Sequence, residues 1–340
     1  MSATMADVAK LAGVSVKTVS NVVNEYPYVR QTTRDRVLAA VAELGYEVNL
    51  SARSLRSGRT GMIGLAVPEL RLAYFGELAD DVLRVAREHG VTVLIESTGY
   101  SRAEELEVLR GFRRRMTDGL LFSPVVLDAE DLAAAAPTYP LVLLGEQIFS
   151  PAYDHVTMRN EEAVRAAVRF LVERGRRRVA VIGARRDVAV GVGTAGLRYA
   201  GYLQALAEHG IAFDAARVGW TTASWHAADG AAAMAAVLDS GAQVDAVVAL
   251  NDSLAIGAMA ELRVRGLAVP GDVAVIGFDD TDEAQFTDPP LTSVDAGRRE
   301  IARVAFELLH ARVRAPQDDR APTLHLAGLS VVERGSTPRL

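Results

Sequence analysis

The sequence predicts an N-terminal all-α helix-turn-helix head followed by an α/β body of two doubly wound lobes. Three observations carry that prediction. In the first 45 positions, apolar residues recur at helical spacing in three short stretches. From Met62 onward, continuous apolar runs alternate with amphipathic helical segments, as in parallel sheets covered on both faces. The alternation runs through once to about residue 145 and begins again near residue 178.

In the head, MADVAKLA (5–12) places Val8, Leu11 and Ala12 on one face, with Thr4 as N-cap and Asp7 in the first turn. Gly13 frees the backbone for a tight turn. Ser15 then caps a second helix from Val16 to about Val23, with Val19, Val22 and Val23 inward and Asn24 at its end. A third helix is expected from Thr33 to about Leu44, with Val37, Leu38, Val41 and Leu44 inward and Gly45 as its stop. Helix, glycine turn, helix and a supporting helix is the plan that lays its second helix in a DNA major groove; a three-helix bundle that binds nothing is the alternative.

In the body, strands are expected at 62–67, 91–96, 119–123 and 140–145, with helices near 74–89, 102–115 and 128–136. The second set has strands at 178–183, 217–220, 244–250 and 273–278, and helices near 194–209, 226–239 and 253–265. Links near 157–160 and 291–293 imply two lobes with a cleft between them. Ligands of such sheets bind beyond the carboxyl ends of the strands. Those ends carry PELRLAYF with Tyr74 and Phe75, then Glu146, Arg198 beyond the loop after 178–183, Trp225, Asn251-Asp252 and Asp279-Asp280. Carboxylates, amide and guanidinium beside aromatic faces suit a sugar or similar polyhydroxylated ligand. The alternatives are an ion pair between lobes for Arg198 and Asp279, ordinary packing for Phe75 and Trp225, and a helix cap for Asp252.

Composition narrows the function. Half of the 340 residues are hydrophobic and 24% are charged, as in a folded globular protein. No run of about 18 apolar residues indicates a membrane span. The start, MSATMADVAKLAG, lacks the regions of a secretory leader, so a cytoplasmic location is expected. Cysteine is absent, and the six histidines (His89, His155, His209, His226, His310, His325) have no ligand spacing, so neither metal nor cofactor is expected. Residues 1–59 carry a net +3, which leaves −9 for the rest. A basic head on an acidic body suggests that the head meets a polyanion.

GVGTAGLR contains a complete G-x-G-x-x-G at Gly191, Gly193 and Gly196. A dinucleotide cradle needs that motif at the tight turn straight after the first strand. Here ARRDVAV intervenes, and MIGLAVPEL carries no glycine fingerprint, so the context does not support a nucleotide site.

ADVAKLAGVSVKTVSNVVN, followed by YVRQTTRDRVLAAVAELGYEVNLSARSLRSGRTGMIGL, resembles the lactose repressor (LacI/GalR) family of transcription regulators, and the likeness continues through nearly the whole chain. The resemblance implies a helix-turn-helix domain at 1–48, a hinge helix at 49–60 and a two-lobed, periplasmic-binding-protein-like effector and dimerisation domain at 61–340. Within that domain it implies a first lobe of about 61–158 and 293–322 and a second of about 159–291 and 323–340, with three crossings. It assigns Val16, Lys17 and Asn21 to DNA bases, and Ser15, Thr18 and Ser20 to phosphates. Lys donates to guanine, Asn pairs with adenine, and Val packs on a thymine methyl. The family usually has Arg at position 21, so the operator sequence stays open. In the hinge, Leu55 matches the residue wedged into the minor groove, with Arg53 and Arg56 near phosphates. Arg198, Asn251, Asp279 and Glu146 match effector-contacting positions, Trp225 a stacking position, and Tyr74 and Phe75 the cleft entrance. Glu146 stands where Asp is more usual.

The expected function is therefore a sequence-specific DNA-binding regulator, a repressor, controlled by a small-molecule effector of carbohydrate type and acting as a homodimer on double-stranded operator DNA. No catalytic residue is assigned. The competing classes are a sugar-modifying enzyme and a solute-binding protein on the same α/β body. The C-terminal GLSVVERGSTPRL has no heptad repeat, and dimer contacts are expected from the body, near 74–89 and 296–314.

Overall fold

The computed structural model describes residues 3–23, 26–46, 59–111, 116–222, 224–317 and 319–337. The chain divides into two compact units, Met1–Thr60 and Gly61–Leu340.

The first unit contains helices α1 (Met5–Ala12), α2 (Val16–Val23) and α3 (Gln31–Leu44). Thr4 caps α1 by accepting from the Asp7 amide, while Asp7 accepts from the Thr4 amide, so two otherwise orphaned donors are satisfied. Gly13 and Gly45 take the left-handed conformation that ends α1 and α3. The core is Val8, Ala9, Ala12, Val19, Val22, Val37, Ala40 and Tyr46. Three expected core residues point outward instead: Leu11, Leu38 and Leu44 are exposed. Ala9 and Ala40 take their places, because a core this small packs through side chains that let backbones approach. The third helix starts two residues earlier than expected, since the Thr33 and Arg34 amides already donate to the Arg30 carbonyl. Asn24, the expected end of the second helix, lies outside the described residues.

The second unit holds two six-stranded sheets. The elements of the first are β1 (Met62–Val67), α4 (Ala73–Glu88), β2 (Thr92–Ser97), α5 (Arg102–Arg110), β3 (Leu120–Phe122), α6 (Ala129–Ala135), β4 (Leu141–Leu144) and β5 (Asp154–Thr157). Those of the second are α7 (Asn160–Glu173), β6 (Val179–Ala184), α8 (Gly193–Glu208), β7 (Val218–Trp220), α9 (Ala227–Asp239), β8 (Ala246–Ala249), α10 (Asp252–Val264), β9 (Ala274–Phe278) and β10 (Thr292–Asp295). Then come α11 (Arg298–Arg314), β11 (Leu324–Leu326) and β12 (Ser330–Val332). The sheet orders are β11-β5-β4-β3-β1-β2 and β12-β10-β9-β8-β6-β7. Every pairing is parallel except β10 with β12. Alternate residues of β3 and β4 feed opposite faces: Leu121, Val142 and Leu144 join the α4 and α11 side chains, while Leu120, Phe122, Leu141 and Leu143 pack with Leu109 and Leu132.

All expected strands and helices of the body are present, most within a residue or two. Five elements were not expected: β5, α7, β10, β11 and β12. The crossings also differ at the C-terminal end. Strand β10 joins the second sheet before the chain crosses back, and β11 joins the first sheet, so the third crossing falls at 327–329 rather than near 322. The crossings press together. Gly297 has φ +80°, and a Cβ there would meet Ala327 Cβ and the Gly328 carbonyl oxygen, each at 2.8 Å. The Ala327 amide donates to the Thr157 carbonyl at the end of β5.

Candidate functional site

On the first unit, the core face of α2 is Val19 and Val22. Val16, Lys17, Ser20 and Asn21 lie on the other side, the first two exposed and the last two half-buried. Ser15 accepts from the Thr18 amide and hydrogen-bonds the Thr18 hydroxyl at 2.9 Å, fixing the start of the helix. The residues expected to read bases thus share one solvent-facing surface with those expected to hold phosphates. Leu55, Arg53 and Arg56 lie outside the described residues.

On the second unit, a cleft of about 530 Å³ opens between the two sheets, at the carboxyl ends of their strands. It falls in the range of small-molecule sites. The first sheet contributes Ser123 after β3, Glu146 and Gln147 after β4, and Thr157 and Met158 at the end of β5. The second contributes the 185–195 loop and start of α8, then Arg198, Trp225, Asn251 and Asp279. Tyr74 and Phe75 both line it, half-buried and packed against the core, with ring centroids 5.2 Å apart in an edge-to-face contact.

Arg198 organises the floor. Its Nε donates to Asn160 Oδ1 at 2.7 Å, Nη1 to the Leu250 carbonyl, and Nη2 reaches Asp279 Oδ1 at 3.5 Å and Met158 Sδ at 3.3 Å. Its guanidinium also lies 3.5 Å from the Phe278 ring centroid and 5.6 Å from that of Trp225. Arg198 and Asp279 both belong to the second lobe, on α8 and just after β9, so their pair does not join the lobes. Glu146 does join them. One of its oxygens accepts from Thr157 Oγ1 at 2.8 Å within the first lobe, the other from Thr194 Oγ1 at 2.6 Å across the cleft. Asp279 has φ +103°, uncommon for a side chain with a Cβ. Its amide is held by the Val294 carbonyl.

Asn251, not Asp252, caps α10: its Oδ1 accepts from the Leu254 amide and its Nδ2 donates to the Trp225 carbonyl. Asp252 is buried instead behind the floor, accepting from Ser293 Oγ and from the Thr281 amide and hydroxyl. Burial pushes the Asp252 carboxyl up to about 8, with the Asp279 charge adding to it and the three hydrogen bonds opposing. Burial likewise pushes Asp279 up to about 7, against the pull of Arg198. The Tyr74 phenol is raised by burial and by the charges of Asp279 and Glu146, so it remains a proton donor.

The glycine-rich loop shapes the same cleft. Eight residues separate the end of β6 from Gly193, so there is no tight turn for a pyrophosphate. The Gly191 amide donates to the Gly196 carbonyl, and a Cβ on Gly196 would lie 2.2 Å from the Ala189 carbonyl oxygen. The glycines let the loop fold onto the first turn of α8, which presents Thr194, with Arg198 on the following turn.

Comparison with known proteins now fixes the family. Residues 4–49 match the model for bacterial regulatory proteins of the lacI family, and residues 168–337 that for a periplasmic binding protein-like domain. The HTH-type transcriptional regulator AscG of Escherichia coli K12 is 36% identical, over 86% of this chain and 86% of its own. The chain belongs to the lacI family. This lacI-family chain is a DNA-binding transcriptional regulator; the relatives are regulators, not enzymes. A structure of the lac repressor dimer bound to operator and the anti-inducer ONPF superposes with a TM-score of 0.83 at 27% identity, covering 99% of both chains. A structure of the regulator CelR in complex with cellobiose gives 0.71 at 30% identity, covering 98% of this chain and 99% of that one.

In this lacI-family body, the structure gathers all seven expected effector residues, Tyr74, Phe75, Glu146, Arg198, Trp225, Asn251 and Asp279, around one cleft. Sequence reasoning missed Thr157, Asn160 and Thr194, which hold Glu146 and Arg198 in place. It also missed Glu105, a buried carboxylate on α5 that accepts from the Val125, Val126 and Leu127 amides and pins that rim of the cleft. Threonine and glutamate are too common for a signal without the fold. Among the described residues no group of three His, Cys, Asp or Glu is placed to hold a metal ion, and no helix is long and apolar enough to cross a membrane.

Proposed function

We propose that the protein is a cytoplasmic repressor that binds operator DNA as a homodimer and releases or engages it according to a carbohydrate effector held between the lobes. Residues 1–48 form the operator-binding head, 49–60 the hinge and 61–340 the effector and dimerisation body. Val16, Lys17 and Asn21 read bases with Leu55 as the minor-groove wedge. Ser15, Thr18, Ser20, Arg53 and Arg56 hold phosphates. The effector is held by Glu146, Arg198, Asn251 and Asp279 against the faces of Tyr74, Phe75 and Trp225.

The observation that supports a carbohydrate is the division of the cleft into two zones. Its floor concentrates carboxylate, guanidinium and amide, and Trp225 Nε1 is buried there with no hydrogen-bond partner. A sugar ring with hydroxyls at its edge and C–H groups on its face satisfies both the polar set and the aromatic walls. The outer rim is apolar, with exposed Val126 on one lip and exposed Val192 on the other. That rim accepts an apolar aglycone or the flat face of a second sugar ring. Cellobiose, the ligand of the CelR structure, has such a second ring.

A thermal-shift screen of monosaccharides, disaccharides and aryl glycosides, with purine bases and nucleosides as comparators, tests the reading. A carbohydrate that raises the melting temperature of the native protein but not of Asp279→Ala supports it. Stabilisation by purines alone overturns the carbohydrate assignment.

A further inference from the structure

We propose that Glu69, Tyr100 and His226 form a proton-responsive clasp between the two lobes, which makes closure of the cleft depend on pH. Glu69 follows β1 and Tyr100 follows β2, both in the first lobe; His226 precedes α9 in the second. Tyr100 OH donates to Glu69 Oε1 at 2.8 Å, and Glu69 Oε2 lies 3.2 Å from His226 Nε2. An ionised carboxylate only accepts, so the contact requires a proton on Nε2. A neutral imidazole supplies that proton in one tautomer. An imidazolium supplies it in every case and adds a full charge opposite the carboxylate. Imidazole is the side chain whose charge changes between about pH 5 and 8.

The clasp has the features of a set part. Tyr100 sits at φ +57° directly after Gly99 at φ +61°, so two consecutive left-handed residues turn the phenol towards Glu69. Burial and the Glu69 charge raise the phenol, which therefore stays a donor throughout the range in which imidazole titrates. Glu69 and His226 are both partly buried, their side chains 18% and 23% exposed. The charged groups against His226 are Glu69 in front and Asp229 on its own helix, while Arg185, paired with Asp187 on the loop after β6, acts on Tyr100. Asp229 is engaged by the His226 amide and Ser224 Oγ, and Arg185 by Asp187 at 2.6 Å, so Glu69 is the carboxylate presented to the ring.

The position gives the clasp its consequence. His226 is adjacent to Trp225, whose ring lines the cleft and whose carbonyl accepts from Asn251. Among the described residues, Glu146 with Thr194, the Asp282 amide with Glu77 and Arg198 with Met158 also join the lobes, none of them through an imidazole. Acidification therefore strengthens the Glu69–His226 contact and favours the closed lobes, while Glu146 and Thr194 hold the opposite side of the cleft at any pH at which Glu146 is ionised.

The test is a double-mutant cycle on lobe closure in the full chain. The protein has no cysteine, so Glu104→Cys on α5 and Ala232→Cys on α9, both exposed, accept spin labels in the two lobes. Dilution with unlabelled protein keeps each measured distance within one chain. The closed population, read with no ligand added, is expected to rise about two- to fivefold between pH 8 and pH 5.5, the size of a partly exposed ion pair. His226→Gln and Glu69→Gln should each reduce that rise, and the double variant should reduce it no further. Asp252 and Asp279 titrate in all four proteins, so their contribution cancels in the cycle. A Glu69–His226 coupling that is equal at the two pH values, or a pH response unchanged by His226→Gln, overturns the proposal. Tyr100→Phe provides a variant that keeps both charged partners and should weaken the clasp without abolishing its pH dependence. Since no effector or DNA is used, failure here leaves the proposed function untouched, and failure of operator binding leaves this result standing.

Discussion

Thr194 on the second lobe donates a 2.6 Å hydrogen bond to Glu146 on the first, directly across the cleft between them. Hydrogen bonds to a charged acceptor contribute about 1.5–3 kcal/mol. A ligand hydroxyl that enters the cleft competes with Thr194 for the same oxygen, so the bond links occupancy to lobe position. Thr194→Val removes the donor and keeps the shape. It is expected to shift the open–closed equilibrium tenfold or more towards open, as measured by small-angle scattering or interlobe distances. Glu146→Gln should weaken effector binding by one to two orders of magnitude in calorimetry.

Arg198 is 3% exposed and its positive charge is held by Asp279, two carbonyl-type oxygens and a phenyl face. Removing one partner of a buried pair leaves an uncompensated charge, at a cost of about 3–5 kcal/mol. Arg198→Met should therefore lower stability by that order in urea unfolding. Arg198→Met with Asp279→Asn should recover part of the loss, since the orphaned carboxylate is then gone.

Asp252 and Asp279 both have carboxyls raised well above the ordinary value by burial, to about 8 and about 7. The folded state thus holds protons that the unfolded state releases near pH 4. Their contribution to stability is full below about pH 4, is lost as the pH rises through 7 and 8, and levels off above. Asp252→Asn cannot ionise, so its stability should change less between pH 5 and pH 8 than the native protein's, by at least about 1 kcal/mol. Denaturant unfolding at each pH checks this; native and variant profiles of equal slope would contradict it.

Helices α9 and α10 touch through glycine. A Cβ on Gly257 would lie 1.8 Å from the Ala227 carbonyl oxygen, and one on Gly230 2.2 Å from that of Leu254. The obstacle is backbone on both sides, so neither helix yields locally. Gly257→Ala is expected to destabilise the body by about 3 kcal/mol or more, at the upper end of overpacking, and Gly230→Ala similarly. Gly241→Ala tests the contrast. Nothing lies within 4 Å of its Cβ, and only its positive φ opposes the change.

On the head, exposed Lys17 and half-buried Asn21 lie on α2 away from its core face, with Ser15 and Thr18 at the helix start. Lys17→Ala should weaken binding to a selected duplex and relax selectivity at one base pair, at about 1–3 kcal/mol. Ser15→Ala should weaken all sequences alike. Binding measured on a panel of single-base operator variants separates the two.

The central parallel strands of the body were legible because both faces are covered, which forces unbroken apolar runs such as MIGLAV and AVIGF. The strand β5 was not, because it reads DHVT although all four residues are buried. Its polarity is satisfied from far along the chain: Asp154 accepts from Arg312 and from the Thr323 amide, and Thr157 donates to Glu146. No local pattern announces such partners. The cleft residues were legible as polar positions at strand ends, together with the family likeness. Their supports were not. The reversed roles of Asn251 and Asp252 show why: adjacent residues with the same capping chemistry are separated only by which one faces Thr281 after β9 and Ser293 on β10. In the head, helical spacing identified the helices correctly but chose leucines over alanines for the core.

In the proposed function, a ligand in the cleft of the body controls DNA binding by the head. The most direct measurement is the affinity of the full chain for a duplex selected from a random pool, against a scrambled duplex. It is made at two or more salt concentrations, with and without the carbohydrate that most stabilises the body. Selective binding is expected to weaken steeply with salt and to change at least tenfold when the carbohydrate is added, with the carbohydrate effect absent in Asp279→Ala. Equal affinity for the selected and scrambled duplexes, or an operator affinity that the stabilising ligand leaves unchanged, would contradict it.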